Sequence, residues 1–309
     1  MIIQAIYSDK AFGIIVETES VIQPLEQLFS RLTHQQRNTN MHISSKLLLL
    51  SSLIYFFACT PSTKKEEVKT GTKSGKFNKM ELGNCDTTLI GGVSLVINVW
   101  EPTAQDTVSG TIRAFLNQKL IDRVNDYADS ASIAAHPGSD KSIKNAYDVF
   151  ASNYTKFKTQ FPDAPGCWEV DLKGDTIMYS SKIIQYQMDH YAFTGGAHPN
   201  SFRTYYVFDT QTGKELKSSS FLADSVALLK KVEKSFRKLE NLADTANLEN
   251  AGYFLTNHKF FLPANYAFTR EGIYFYYNPY EIAAYARGAI TFTIPYKELE
   301  GIVKKELIF

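Results

Sequence analysis

The chain has 309 residues, of which 44% are hydrophobic and 21% charged, and its 33 basic and 32 acidic side chains leave a net charge of +1. That length supplies a core for one large domain or two small interlocked ones. The charge balance argues against a nucleic-acid partner, which needs a strong basic excess, and gives no electrostatic reason for an anionic membrane surface as the main partner.

Residues 1–40 are expected to be an upstream extension of the reading frame, with translation starting at Met41. From there the chain has a weakly basic start (His42, Lys46), an apolar stretch from Leu47 to Phe57, then Ala58 and Cys59. This is the layout of a bacterial lipoprotein signal over 41–58, with Cys59 as the lipidated residue. The stretch fits a signal core and is well short of the ~20 residues of a membrane-spanning helix. The alternative is a buried core helix, but the Ser-, Thr-, Gly- and Lys-rich residues after Cys59 read as a flexible tether, which is assigned to 59–84. The expected location is the cell envelope, with the membrane reached only through the lipid anchor.

Cys85 and Cys167 then remain as an even pair, and an oxidising compartment favours a disulfide between them over two separate thiols. Closing so long a loop contributes roughly 4.5 kcal/mol on the chain-entropy model. Neither cysteine has zinc-ligand spacing, so no metal is expected, and no cofactor motif is present.

Val93 to Trp100 has the β-branched composition of a strand ended by Pro102. Ile112, Phe115, Leu116, Leu120, Ile121, Val124 and Tyr127 recur at helical steps, as do Ile143, Tyr147, Phe150, Tyr154, Phe157 and Phe161. Strands are expected over 168–172 and 176–191 around a Lys173-Gly174-Asp175 turn, then over 203–208. Asp224 caps a helix with an apolar face of Val226, Leu229, Val232, Phe236 and Leu239. Strands over 266–269, 273–277 and 289–294 follow, with a closing helix after Pro295. Tight turns between strands imply antiparallel pairing, so the expected fold is α+β: a mostly antiparallel sheet with helices packed on it, divided into an N-terminal domain over 85–215 and a C-terminal domain over 216–309.

Two segments concentrate turn formers, aromatics and ionisable groups. One runs from Tyr191 to Asn200 and holds Gly195, Gly196 and His198; the other runs from Tyr276 to Gly288 and holds Asn278, Pro279, Tyr280, Glu281 and Tyr285. The Gly-Gly-Ala-His turn and the Tyr-Glu-Ile-Ala segment resemble the paired extracytoplasmic domains of unknown function numbered 4163 and 3298. That pair is known from the ectodomain of a lysozyme-sensing anti-sigma factor, from a peptidoglycan deacetylase and from stand-alone lipoproteins. The resemblance implies a binding or sensing module whose partner is an envelope glycan or a secreted protein such as lysozyme.

From the residues alone, Tyr191, Gly195, Gly196, His198, Asn278, Pro279, Tyr280, Glu281 and Tyr285 are candidate ligand contacts, with His198 read first as a turn-fixing residue because no catalytic partner accompanies it in the sequence. The two motifs are expected to converge on one side of a sheet, where Glu281 could accept a hydrogen bond from His198. No catalytic motif is present, and no catalytic residue is assigned. A glycan hydrolase using Glu281, Asp189 and His198 is the enzymatic alternative, and a structural envelope component the third reading.

Overall fold

In the computed structural model, residues 74–86, 91–164 and 166–309 are described. Cys59, the expected signal and the first forty residues lie outside them. Strand β2 (Gly91–Pro102) alternates, burying Val93, Leu95, Ile97 and Val99 on one face. Helices α1 (Thr107–Asn125), α2 (Ser130–Ala135) and α3 (Ile143–Gln160) follow. Asp106, Asp129 and Ser142 cap them by accepting from the backbone N–H of Ser109, Ser132 and Asn145. The crossover places β3 (Trp168–Tyr179) parallel to β2; the sheet is otherwise antiparallel, through β4 (Ile183–Phe193), β5 (Asn200–Asp209) and the short β6 (Glu215–Leu216). Ile112, Leu116, Leu120 and Ile121 of α1 and Ala146 and Phe150 of α3 bury their apolar stripe against Leu95, Ile97, Leu172, Tyr186 and Met188 of the sheet.

The second core lies on the sheet's other face. Asp224 caps α4 (Ser225–Leu239), and β7 (Asn265–Phe268), β8 (Gly272–Tyr277) and β9 (Ile290–Pro295) form a three-stranded antiparallel sheet. Phe236, Phe268, Phe275 and Tyr277 cluster there with Ile183 and Val207 contributed by the first sheet. The fold is therefore α+β, with two sheets and four α-helices among the described residues.

Four local expectations are corrected. The tether was assigned as far as residue 84, yet β1 (Gly75–Asp86) pairs antiparallel with β2 along its whole length. Leu82 lies opposite Leu95 and packs on the helical core, while Lys76, Lys79 and Glu81 keep to solvent and give the strand a tether-like composition. The hairpin turn is not at Gly174. β3 runs through Gly174 because a side chain there would meet the Tyr186 hydroxyl at 2.3 Å, a group that donates to the Trp100 carbonyl; the chain reverses instead at Ser180–Lys182, where the Ser180 hydroxyl accepts from two backbone N–H groups. The buried stripe of α4 is Leu228, Val232 and Phe236, with Val226 and Leu239 in solvent. After Pro295 there are only 3₁₀ turns at Tyr296–Glu298 and Lys305–Leu307, because Gly301 turns left-handed (φ 73°) between them.

Cys85 and Cys167 are joined in a disulfide with Cα atoms 5.6 Å apart. The bridge links β1 to the start of β3 across the beginning of β2, where Gly92 lies opposite Cys85. Side-chain amides join the two sheets. β6 pairs only with Val207 and Phe208, leaving the outer edge of β5 open upstream. There Asn278 accepts from the Arg203 N–H (2.6 Å) and donates to the Arg203 carbonyl (3.1 Å), and Asn265 accepts from the Tyr205 N–H (3.3 Å). Buried Gln185 donates to the Tyr206 carbonyl (3.0 Å) and accepts from the Phe268 N–H (3.1 Å).

His190, in the helical core, stacks on Phe202 with centroids 4.3 Å apart; the Arg123 guanidinium sits 4.4 Å from the same ring. Neither imidazole nitrogen bonds to another described residue. Burial, with the Arg123 charge second, lowers its pKa from 6.5 to about 3, so the ring is neutral in the folded protein. The unfolded chain takes up that proton as pH falls through 6.5 and the folded chain does not, so stability drains away between pH 6.5 and about 3, by on the order of a few kcal/mol. His190→Phe should flatten the fall of melting temperature over that window relative to the parent protein; an unchanged slope would remove His190 as its source.

Candidate functional site

Three strand triplets build the site. Asp171-Leu172-Lys173, Asp189-His190-Tyr191 and Ser201-Phe202-Arg203 lie in register, with Leu172, His190 and Phe202 in one cross-strand row. Leu172 and His190 are buried on the helical side. Strand alternation turns the flanking residues to the opposite face as two rows, Lys173–Asp189–Arg203 and Asp171–Tyr191–Ser201. They line an open groove of about 330 Å³, walled by Tyr276, Pro279 and Ala289 from the second sheet and its loop.

The charges in the groove are mutually engaged. Asp189 accepts from Arg203 through both carboxylate oxygens (Nη2 to Oδ2, 3.1 Å) and from Gln187 (2.9 Å); the Arg203 guanidinium lies 4.9 Å from the Tyr276 ring centroid. Lys173 pairs with Asp171 at 2.6 Å, leaving Asp171 Oδ1 buried without a partner among the described residues. Fork-shaped guanidinium and carboxylate groups beside a half-exposed phenol offer directional donors and acceptors at fixed spacing.

Beside the groove, the two motif loops meet. Gly195 and Gly196 adopt φ of 95° and 96°, and the loop they turn delivers His198 onto the opposite loop. His198 stacks on Tyr285 with centroids 3.9 Å apart, its Nδ1 pairs with the Pro199 carbonyl at 2.9 Å, and its Nε2 lies 3.0 Å from the Tyr280 hydroxyl. Because a carbonyl only accepts, Nδ1 carries hydrogen; in the neutral ring Nε2 then accepts from Tyr280. Asn278-Pro279-Tyr280-Glu281 closes by a Glu281 N–H to Asn278 carbonyl bond of 3.0 Å, with proline second and Tyr280 third at φ 67°. This is a type II turn layout, whose third position favours glycine. Tyr280 holds that left-handed conformation while 47% exposed, so the turn leaves its ring facing solvent.

His198, Tyr280 and Tyr285 are thus brought together, with Tyr191 and Pro279 in the groove alongside. Glu281 is not a partner of His198. Its carboxylate accepts from the backbone N–H of Ala264 (2.6 Å) and Asn278 (2.8 Å), and burial raises its pKa against those hydrogen bonds. Asn278 serves the sheet junction. Asp171, Lys173, Ser201 and Arg203 were not among the expected site residues; the polar–apolar–polar form of Asp171-Leu172-Lys173 and of Ser201-Phe202-Arg203 is the signal that marks them. Among the described residues, the one group of three metal-ligand side chains is Cys85, Cys167 and Glu169, and both sulfurs are committed to the disulfide. No described helix is long and apolar enough to cross a membrane.

A helix-covered sheet that docks a small second sheet and leaves part of its other face as an aromatic-rimmed groove defines a two-part α+β protein. Residues 97–201 match the family "Deacetylase PdaC" and residues 219–297 match "Protein of unknown function (DUF3298)". Over these spans the chain carries a PdaC domain followed by a DUF3298 domain. It is similar to a crystal structure of a DUF3298 family member from Bacteroides fragilis, at 19% identity and TM-score 0.56, over 75% of this chain and 94% of that one. A DUF3298 family protein from Pseudomonas aeruginosa is similar at 20% identity and TM-score 0.54, over 76% and 96%. These likenesses establish the fold. No curated protein matches the chain. The disulfide and the domain pair point to an extracytoplasmic location.

Glu281→Ala should leave two backbone N–H groups unpaired and cost roughly 2–4 kcal/mol, read as a lowered denaturant midpoint. Glu281→Gln keeps an acceptor and should cost less than half as much. Equal, small losses in both variants would show that the carboxylate does not hold the turn.

Proposed function

We propose that this chain is a lipid-anchored cell-envelope module that binds a glycan of the peptidoglycan type in the groove between Lys173–Asp189–Arg203 and the Tyr280 loop. One observation carries the reading: the exposed large apolar side chains at the site are Tyr191 (37%) and Tyr280 (47%), with no aliphatic patch beside them. Sugar rings combine apolar faces with rings of hydroxyls. Tyrosines flanking bidentate donors and acceptors suit that pattern better than the apolar anchor cluster expected of a protein partner. Binding without bond cleavage fits the chemistry, since Asp189 and Asp171 each already hold a cation and Glu281 clamps backbone. The deacetylase name belongs to the matching family and names no ligand; the proposal takes its ligand class from the resemblance to envelope domains and does not take the reaction.

The full chain should co-sediment with insoluble peptidoglycan. Tyr280→Gly removes the ring while suiting the turn, and together with Tyr191→Ala it should weaken binding about tenfold or more with the melting temperature held or raised. Capture of lysozyme without glycan would move the assignment to a protein ligand, and release of soluble sugars would move it to a hydrolase.

The anchor rests on the segment from Met41 to Cys59. In a bacterial host the chain should incorporate labelled palmitate, and Cys59→Ala should abolish the label; an unlabelled full-length product would exclude lipidation.

A further inference from the structure

We propose that two copies of this chain pair through their β1 strands, joining their sheets edge to edge. β1 spans twelve residues, lies at the end of the strand order, and among the described residues pairs with β2 alone, which leaves its outer N–H and C=O groups without a described strand partner. Strands are usually about 5–6 residues long, and edges are commonly kept short to avoid such pairing. The edge also exposes Phe77 (53%) and Met80 (40%), and the disulfide at Cys85 anchors one end of the strand.

Charge selects a second copy as the occupant and sets the register. Antiparallel pairing of identical strands places a two-fold axis perpendicular to the sheet, which keeps each side chain on its own face, so opposed residues have the same parity. Centred on Met80, the pairing sets Lys79 opposite Glu81 of the second copy, twice by symmetry. Asn78 then faces Leu82, and Phe77 faces Gly83. Centring one residue away, on Lys79 or Glu81, would oppose two lysines or two glutamates. Within one chain Lys79 and Glu81 already pair at 2.5 Å with side chains 63% and 57% exposed, available to meet their counterparts.

Sedimentation of the full chain in a non-ionic detergent should give a dimer. Glu81→Lys and Lys79→Glu each set four like charges around the axis and should each raise the dimer dissociation constant about tenfold or more, with melting curves confirming that both variants fold. Mixing the two variants, or combining both changes in one chain, should restore the dimer. Met80→Cys should give a covalent dimer on mild oxidation. A monomeric parent protein, or a dimer indifferent to the charge changes, would overturn the proposal.

Discussion

An unfinished strand edge governs this structure. β5 has a strand partner on both sides only where β6 reaches it, and beyond that point its outward N–H and C=O groups must be satisfied some other way. The outward positions Arg203, Tyr205 and Val207 alternate along the strand. Val207 pairs with β6, while Asn265 and Asn278 serve the other two. Asn278 copies a backbone pair with one amide, accepting and donating to the same residue. Gln185 repeats the device on the sheet's face, bonding to the Tyr206 carbonyl and the Phe268 N–H. Each bond contributes only about 1 kcal/mol, but leaving these groups dry and unpaired would cost more. Directional amides therefore fix where the second sheet sits, and the shared apolar core supplies the bulk of the adhesion.

The groove follows from that placement. The second sheet covers the part of the first sheet's face that carries Ile183 and Val207, and leaves the part that carries Asp171, Lys173, Asp189 and Arg203. On the covered part, charges without partners would be prohibitively costly; on the open part they pair across strands in reach of water. The Asn278 turn that completes the β5 edge also aims Tyr280 outward beside the groove. Glu281 tightens the same turn from beneath by holding the N–H groups of Asn278 and Ala264. One short segment thus joins the sheets and presents the ring, which explains why so many unusual residues crowd it.

Much of this could be read along the chain. Helical periodicity marked α1, α3 and α4, and the Asp224 cap marked the start of α4, because those signals depend on neighbours three or four residues away and on the first turn's unpaired N–H groups. The α+β class and the pairing of Cys85 with Cys167 were equally accessible. So was the crowding of aromatic and turn-forming residues around His198 and Tyr280. β1 was hidden because its outward residues are those of a linker, and what makes it a strand is the apolar row of β2 alongside.

What the sequence by itself determined, then, is the three longest helices and which segments would carry the unusual side chains. Only the tertiary structure decided what those side chains touch. Gly174 reads as a turn until the Tyr186 ring claims the space beside it. Glu281 reads as a partner for His198 until burial turns it toward backbone, and Tyr280 takes that place. The groove residues are ordinary alternating strand positions until β3, β4 and β5 align them. The physical reason is range: propensity, capping and turn formation act within a few residues, whereas strand register and side-chain completion of a sheet edge join residues 60 to 83 positions apart.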